Sequence, residues 1–440
     1  MKRTFLITLL LGFFYQTGIA QSFDKATLDR YLDTLEINNK FMGSVAISKS
    51  DEVIYSRSIG YADFEHKIKA DKNTKYRIGS ITKTFTAVLV LKAVEKKKID
   101  LNQSIDKLFP AIKNAGKITV NQLLHHRSGI HNFTDDKEYL TWNTKPKTQK
   151  EMIEIIAKGG SDFEPGSKYE YSNSNYVLLT FILQQAFHQQ YSDLLTEYIT
   201  KPLRLKNTYL GGKINVQNGE SKSYKFSGTW KVEPETDISV PLGAGGIVST
   251  PGDLVKFSYA LFNGKLLTQE SLEQMKSLKD GYGMGLIQIP FYEKRGYGHT
   301  GGIDGFTSVF VYFPDGDISY ALTSNGTNYN TNNISIAVLS AVYGKPFKMP
   351  EFNKTYEVSS KDLDKYLGVY ASKQIPLKMT ITKQNDTLIA QATGQSSFPL
   401  KATAKDKFEF EQAGIVLEFS PKDSTMILTQ GGGEVKFNKE

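Results

Sequence analysis

Ser80 and Lys83 stand one helical turn apart in the run Arg77-Ile78-Gly79-Ser80-Ile81-Thr82-Lys83-Thr84-Phe85. Residues three apart on a helix share a face, so Ser80 Oγ and Lys83 Nζ can meet in one pocket. A serine hydroxyl is a weak nucleophile until a neighbouring base takes its proton, and a neutral lysine is such a base. Desolvation and the positive end of a helix beginning near Ser80 both lower a lysine pKa. The same dipole favours the oxyanion that forms when serine attacks a carbonyl. Acyl transfer through a serine ester is the chemistry this pair could perform. The tetrapeptide is not selective by itself, because Ser22 to Lys25 and Ser104 to Lys107 repeat it. The first lies at the start of the expected mature chain, the second in a polar stretch before Pro110.

Two further clusters give Ser80 its company. Tyr171-Ser172-Asn173 follows Glu164-Pro165-Gly166 in a polar loop, just ahead of the apolar run that starts at Tyr176. His299-Thr300-Gly301-Gly302 leads into Ile303-Asp304-Gly305-Phe306. Taken singly, such a tyrosine is a core or rim aromatic, the asparagine a turn residue and the glycine pair a bend. Their weight comes from standing together.

The elements that must position them are legible from periodicity. Residues 41–48 and 53–60 read as two strands about the turn Ser50-Asp51-Glu52. A helix is predicted over 80–98, with Ile81, Phe85, Val88 and Leu89 on one face and Lys92 at its edge. Helical patterns follow at 152–157, 176–187 and 191–198, and Thr250-Pro251-Gly252-Asp253 opens another helix with threonine as cap. Strands return at 306–313 and 318–323. Sheet segments at both ends with helices between them predict one α/β (α+β) domain closed by its own termini. Beyond Gly344-Lys345-Pro346 the pattern turns to alternation, as in Leu377, Met379 and Ile381, which predicts a small antiparallel β barrel. The expected division is a signal peptide over 1–20, a main domain carrying the three clusters over 21–345, a linker over 346–355 and the barrel over 356–440.

Composition narrows the class. The chain has 440 residues with 40% hydrophobic content, ample for packed cores, which excludes global disorder. Met1-Lys2-Arg3, an apolar run over 5–14 and Gly18-Ile19-Ala20 have the form of a secretory signal peptide, so a periplasmic or secreted protein is expected. The run is shorter than the roughly 20 residues a bilayer span needs, so no stable membrane insertion is expected after cleavage. There is no cysteine, hence no disulfide framework and no thiol nucleophile. Net charge is +8, but the basic residues are scattered. The densest run, Lys96-Lys97-Lys98, ends a predicted helix where cations complement the dipole, so nucleic acid is not an expected partner.

Ser-x-x-Lys, then Tyr-x-Asn, then His-Thr-Gly, in this order and at wide spacing, resembles the penicillin-recognising serine hydrolases. That group holds class C β-lactamases, DD-peptidases, D-aminopeptidases and carboxylesterases. Residues 123–130, 163–166, 201–203 and 245–250 extend the likeness over about 41–343. The resemblance implies a β-lactamase-like domain with a helical subdomain. It implies Ser80 as the acylated nucleophile, and Lys83 and Tyr171 as the base and the leaving-group acid, with either able to take the first proton. It further implies Asn173, His299, Thr300 and Gly301 as substrate-binding residues, and the amides of Ser80 and Gly302 as the oxyanion hole. The C-terminal barrel resembles lipocalin-like modules appended to some D-aminopeptidase-like members, through Tyr366-Leu367-Gly368-Val369-Tyr370.

One departure bears on substrate. β-Lactamases of this type carry lysine where His299 stands, and a histidine is largely neutral at pH 7. The resemblance therefore implies a peptidase or amidase for D-amino acid-containing peptides, of the DD-carboxypeptidase or D-aminopeptidase kind. A carboxylesterase comes second, a β-lactamase third, and a non-catalytic receptor or scaffold is the reading from another class. No cofactor is expected. His125, His126 and His131 lack a glutamate at helical spacing and sit in a turn rich in serine and glycine, so no metal is expected either. Expected partners are small peptides, amides or esters.

Overall fold

The computed structural model describes residues 23–352, 356, 358–431 and 433–440. The expected signal peptide and part of the expected linker, 353–355, lie outside these residues. Two segments far apart in sequence make one sheet. Strands β1 (Phe41–Lys49), β2 (Glu52–Ile59), β3 (Ile287–Phe291), β4 (Lys294–Ile303), β5 (Phe306–Phe313) and β6 (Ile318–Thr327) pair in the order β3-β4-β5-β6-β1-β2, every pair antiparallel. β1 lies against β6 with Val45 opposite Leu322, so the chain's two β-rich stretches close the sheet, as strand segments at both ends with helices between them predict.

Helices α1 (Lys25–Ile37), α2 (Thr82–Glu95), α3 (Asn173–Phe187), α4 (Pro251–Phe262) and α5 (Thr331–Val342) set the layers. Successive strand residues point to opposite faces. Val45 and Ile47 pack with Leu28, Leu32 and Val338 of α1 and α5, while Ala46 shares the other core with Phe85, Phe257 and Phe310. With both faces covered, β1 is buried at every position but Lys49. Thr250 caps α4 as predicted, its Oγ1 accepting the Asp253 N–H at 3.2 Å with Pro251 in the first turn.

The structure corrects the nucleophile helix in two respects. A 3₁₀ turn, Gly79–Ile81, carries Ser80, and the α-helix starts only at Thr82. It stops at Glu95, because Lys96 closes it and Lys97 turns left-handed at φ 57°. Nor does α2 have a single apolar face. Eleven of its fourteen residues are buried, Lys83 among them. Phe85 stacks on Phe257 of α4 at 3.8 Å, and on another side Thr86 Oγ1 donates to Gly243 O at 2.6 Å. A helix enclosed all round shows no amphipathic stripe. The predicted helix over 191–198 is α-helical only for Tyr191–Leu195, then widens into a π turn, Thr196–Thr200, ahead of Pro202.

The C-terminal residues form a closed barrel of eight strands, from Gly368–Ser372 to Gly433–Lys439, each paired with the next in sequence. Closure comes from Tyr370 pairing with Lys439. Closing the ring leaves no free edge to aggregate. Its interior is filled, with Tyr366 packed between Phe408 and Phe419 at 4.8 and 4.9 Å and Met379, Leu417 and Phe437 around them. Lys40, just before β1, forms an ion pair with Glu411 of the barrel. Among the described residues no helix is long and apolar enough to cross a membrane.

Candidate active site

Ser80 owes its position to the short strand Tyr76–Arg77, which pairs with Ile247–Ser249. Gly79 then turns left-handed at φ +49°, and Ser80 begins the 3₁₀ turn. One turn on, Lys83 Nζ lies 3.0 Å from Ser80 Oγ, 2.8 Å from Asn173 Oδ1 and 2.7 Å from Ala244 O. Its side chain is fully buried, and burial pushes its pKa well below the usual lysine value. A neutral amine has two N–H bonds and one lone pair. Asn173 Oδ1 and Ala244 O can only accept, so they take both N–H groups, and the lone pair is left facing the Ser80 hydroxyl. The geometry of a general base poised on a nucleophile follows.

Tyr171 and Asn173 come from the loop that enters α3. Burial holds the Tyr171 hydroxyl above its ordinary pKa, with a hydrogen bond to Ser80 acting the other way. The phenol is therefore protonated at neutral pH. Lys83 Nζ sits 4.8 Å from the centre of the Tyr171 ring. Asn173 begins α3, and its amide group is tied at both ends: Oδ1 accepts from Lys83, and Nδ2 donates to Thr134 Oγ1 at 3.1 Å and Asn132 Oδ1 at 3.3 Å.

The opposite wall is the end of β4. Gly301 has to be glycine, since a Cβ there would stand 2.0 Å from Ile78 O. Ser308 Oγ of β5 donates to that same carbonyl at 2.8 Å. The turn bearing Ser80 is thus pinned to the strand bearing Gly302. Thr300 is exposed on this wall. His299 is buried, its Nδ1 abutting Thr300 O and its Nε2 3.0 Å from the Tyr282 hydroxyl. A carbonyl only accepts, so Nδ1 carries the proton and Nε2 accepts from Tyr282. Burial, and then the neighbouring Lys83, pull the His299 pKa to about 3.

Ser80 stands where two cavities meet. The larger, of about 520 Å³, reaches past Asn173 and Gly302 to Phe133, Tyr139, Leu140 and Pro234. The smaller, of about 270 Å³, is walled by Tyr169, Tyr171, Tyr282, Ile287, His299 and Thr300.

All eight residues expected from the motifs converge on this place. Others were not foreseen. Ala244 acts through its carbonyl, Asn132 and Thr134 hold Asn173, and Tyr282 holds His299. Arg77 is buried against Asp304 and pairs with the half-buried Glu235, tying the Ser80 strand to the turn after Gly302. The glycines around Tyr282 (281, 283, 285) were the one available signal of a tight turn there. The three clustered histidines part company. His125 Nδ1 meets Asn121 O at 3.0 Å, His126 accepts the Ser172 N–H, and His131 faces Asp162 and Asp136.

Comparison with known proteins places this geometry. The family model described as Beta-lactamase matches residues 34–344. Penicillin-binding protein 4* of Bacillus subtilis (strain 168) is 24% identical over 444 residues, covering 92% of this chain and 97% of that one. A teichoic acid D-alanine hydrolase of Staphylococcus aureus (strain MRSA252) is 28% identical over 310 residues, or 68% of this chain and 74% of its own. Among solved structures, D-amino acid amidase from Ochrobactrum anthropi SV3, complexed with L-phenylalanine amide, superposes with a TM-score of 0.63 at 27% identity. It covers 72% of this chain and 98% of its own. A serine hydrogen-bonded to a buried lysine, on this sheet and within a match over 34–344, identifies the chain as a serine hydrolase of the beta-lactamase family.

Proposed function

We propose that the chain is an exported amidase or peptidase for substrates whose acyl group is a D-amino acid, working through an acyl-enzyme on Ser80. The observation that carries the reading is the Lys83 site: two accepting carbonyls and burial leave its lone pair on the Ser80 hydroxyl. Ser80 Oγ forms the new bond to the substrate carbonyl as its proton passes to Lys83, and the amides of Ser80 and Gly302 receive the oxyanion. Tyr171, protonated at rest, hands a proton to the departing nitrogen and is re-protonated from Lys83. Water then repeats the sequence on the ester and frees Ser80. The D-amino acid preference is supported by relatives named as D-amino acid amidase and D-alanine hydrolase.

The smaller cavity favours an amide over a carboxylate-bearing leaving group. Its wall holds aromatic rings and a neutral histidine, and none of its lining residues is lysine or arginine. An ester fits the same wall, which keeps carboxylesterase as the second reading. Export rests on the leader-like residues 1–20.

The test is product release followed by mass spectrometry, with the wild type and Ser80→Ala. A D-amino acid amide, a D-alanyl-D-alanine peptide, a short acyl ester and a penicillin would be offered. Ser80-dependent release that is fastest from the amide supports the proposal. Release from none, with a lasting adduct on Ser80, would move the reading to a receptor.

A further inference from the structure

We propose that His126 is a positioning residue that fixes Tyr171 against Ser80, a role resting on the acyl-enzyme reading above. His126 is fully buried and left-handed at φ 54°, just beyond the helix Val120–Leu124. It grips the chain on both sides of Tyr171. Its carbonyl accepts the Glu170 N–H at 2.9 Å, and its ring Nδ1 accepts the Ser172 N–H at 3.1 Å. Its ring lies against that of Tyr171, centroids 4.3 Å apart and 33° from parallel. The peptide unit just after Tyr171 and the one just before Glu170 are therefore both held by one residue 45 positions before the tyrosine.

The ring is more than a filler. A main-chain N–H only donates, so Nδ1 is bare and the proton sits on Nε2. Among the described residues Nε2 has no hydrogen-bond partner. The imidazole lies between the rings of Tyr176 and Tyr282, with centroid separations of 5.1 and 4.7 Å. A buried donor left unmatched is a cost, and an apolar side chain would avoid it. What an apolar side chain could not supply is the acceptor for Ser172. Phenol placement matters because small displacements of a proton-transferring group are expensive in rate.

The acceptor can be removed in two ways and restored in one. His126→Phe keeps a ring against Tyr171 but has no acceptor. His126→Gln places its polar atoms near the former Nε2, and stands in should the phenylalanine variant not fold. His126→Asn puts Oδ1 where Nδ1 stood and tolerates a positive φ. Thermal melts identify the folded variants. The expected result is a kcat lower by about 100-fold for Phe or Gln, with KM changed far less, and recovery to within about 10-fold for Asn. In a Tyr171→Phe background, His126→Phe should cost less than about 3-fold more, because its effect runs through the phenol. Equal losses in the Asn and Phe variants, or a full multiplicative loss in the double variant, overturn the proposal. If the wild type shows no Ser80-dependent turnover, the reaction itself falls. The grip is then judged by hydrogen exchange at Ser172, which must quicken in His126→Phe and not in His126→Asn; equal protection overturns it.

Discussion

A Cβ built on Gly79 would stand 2.7 Å from the amide nitrogen of Gly302. The residue before Ser80 therefore touches, backbone to backbone, the residue expected to share the oxyanion hole. Gly79→Ala should push Gly302 aside, and its φ of +49° adds strain of its own. A kcat loss of about 100- to 1,000-fold is expected. Gly212→Ala is the control, since nothing lies within 4 Å of its Cβ. Steady-state kinetics on the two variants decide it; comparable losses would refute the contact.

Lys83 gives a stability prediction of unusual sign. Holding it neutral when the unfolded chain would protonate it destabilises the fold. Lys83→Met should lose activity by about a thousandfold or more, yet gain roughly 1–2 kcal/mol at pH 7. The unfolded lysine gives up its own proton near pH 10.4. The gain should therefore be largest at low pH and shrink as pH rises towards that value. Denaturant titrations of both proteins at several pH values check it, and a gap that widens with pH would contradict it.

His299 should not govern the pH dependence of turnover. With its pKa at about 3, it stays neutral through the working range, so any acid limb should survive in His299→Gln. Its effect belongs to stability. As pH falls below about 6.5 the unfolded histidine takes a proton and the folded one does not, so stability is lost from there down to about pH 3. Melting temperatures across that window should fall less steeply for His299→Gln. Nitrogen NMR at pH 7 should find opposite tautomers, the proton on Nδ1 in His299 and on Nε2 in His126.

Arg77 and Asp304 are buried together, with 2% and 4% of their side chains exposed. Arg77→Met leaves that carboxylate without its cation and should cost about 3–5 kcal/mol. Adding Asp304→Asn should return part of the loss. Equilibrium unfolding of the single and double variants measures both; an additive pair would mean the ion pair is not the reason.

The groups proposed to do the chemistry are legible in the sequence because their spacing is local: Ser80 to Lys83, Tyr171 to Asn173, His299 to Gly302. The groups that hold them are not. Lys83 and Ala244 meet across 161 positions through a backbone carbonyl, which leaves no side-chain signature. His126 looked like a turn residue, since its two grips on the loop around Tyr171 appear only once the chain has folded. Periodicity predicts one apolar face for α2 because it assumes one wet side, whereas eleven of its fourteen residues are buried. Strand β3 escaped notice because Pro290 interrupts it, which an edge strand tolerates. The barrel is the easy part, because alternation recurs in strand after strand from Leu377 onward, with a bulge at 402–404 as its irregularity between the fourth and fifth strands.

In the proposed mechanism Lys83 owes its reactivity to dryness and not to a charged partner, so the enzyme would carry a built-in reporter of its own interior. Any loosening that admits water beside Nζ restores the proton and silences the serine while the sheet is still intact. Heat, mild denaturant or a distant core substitution should therefore extinguish turnover well before any optical probe records unfolding.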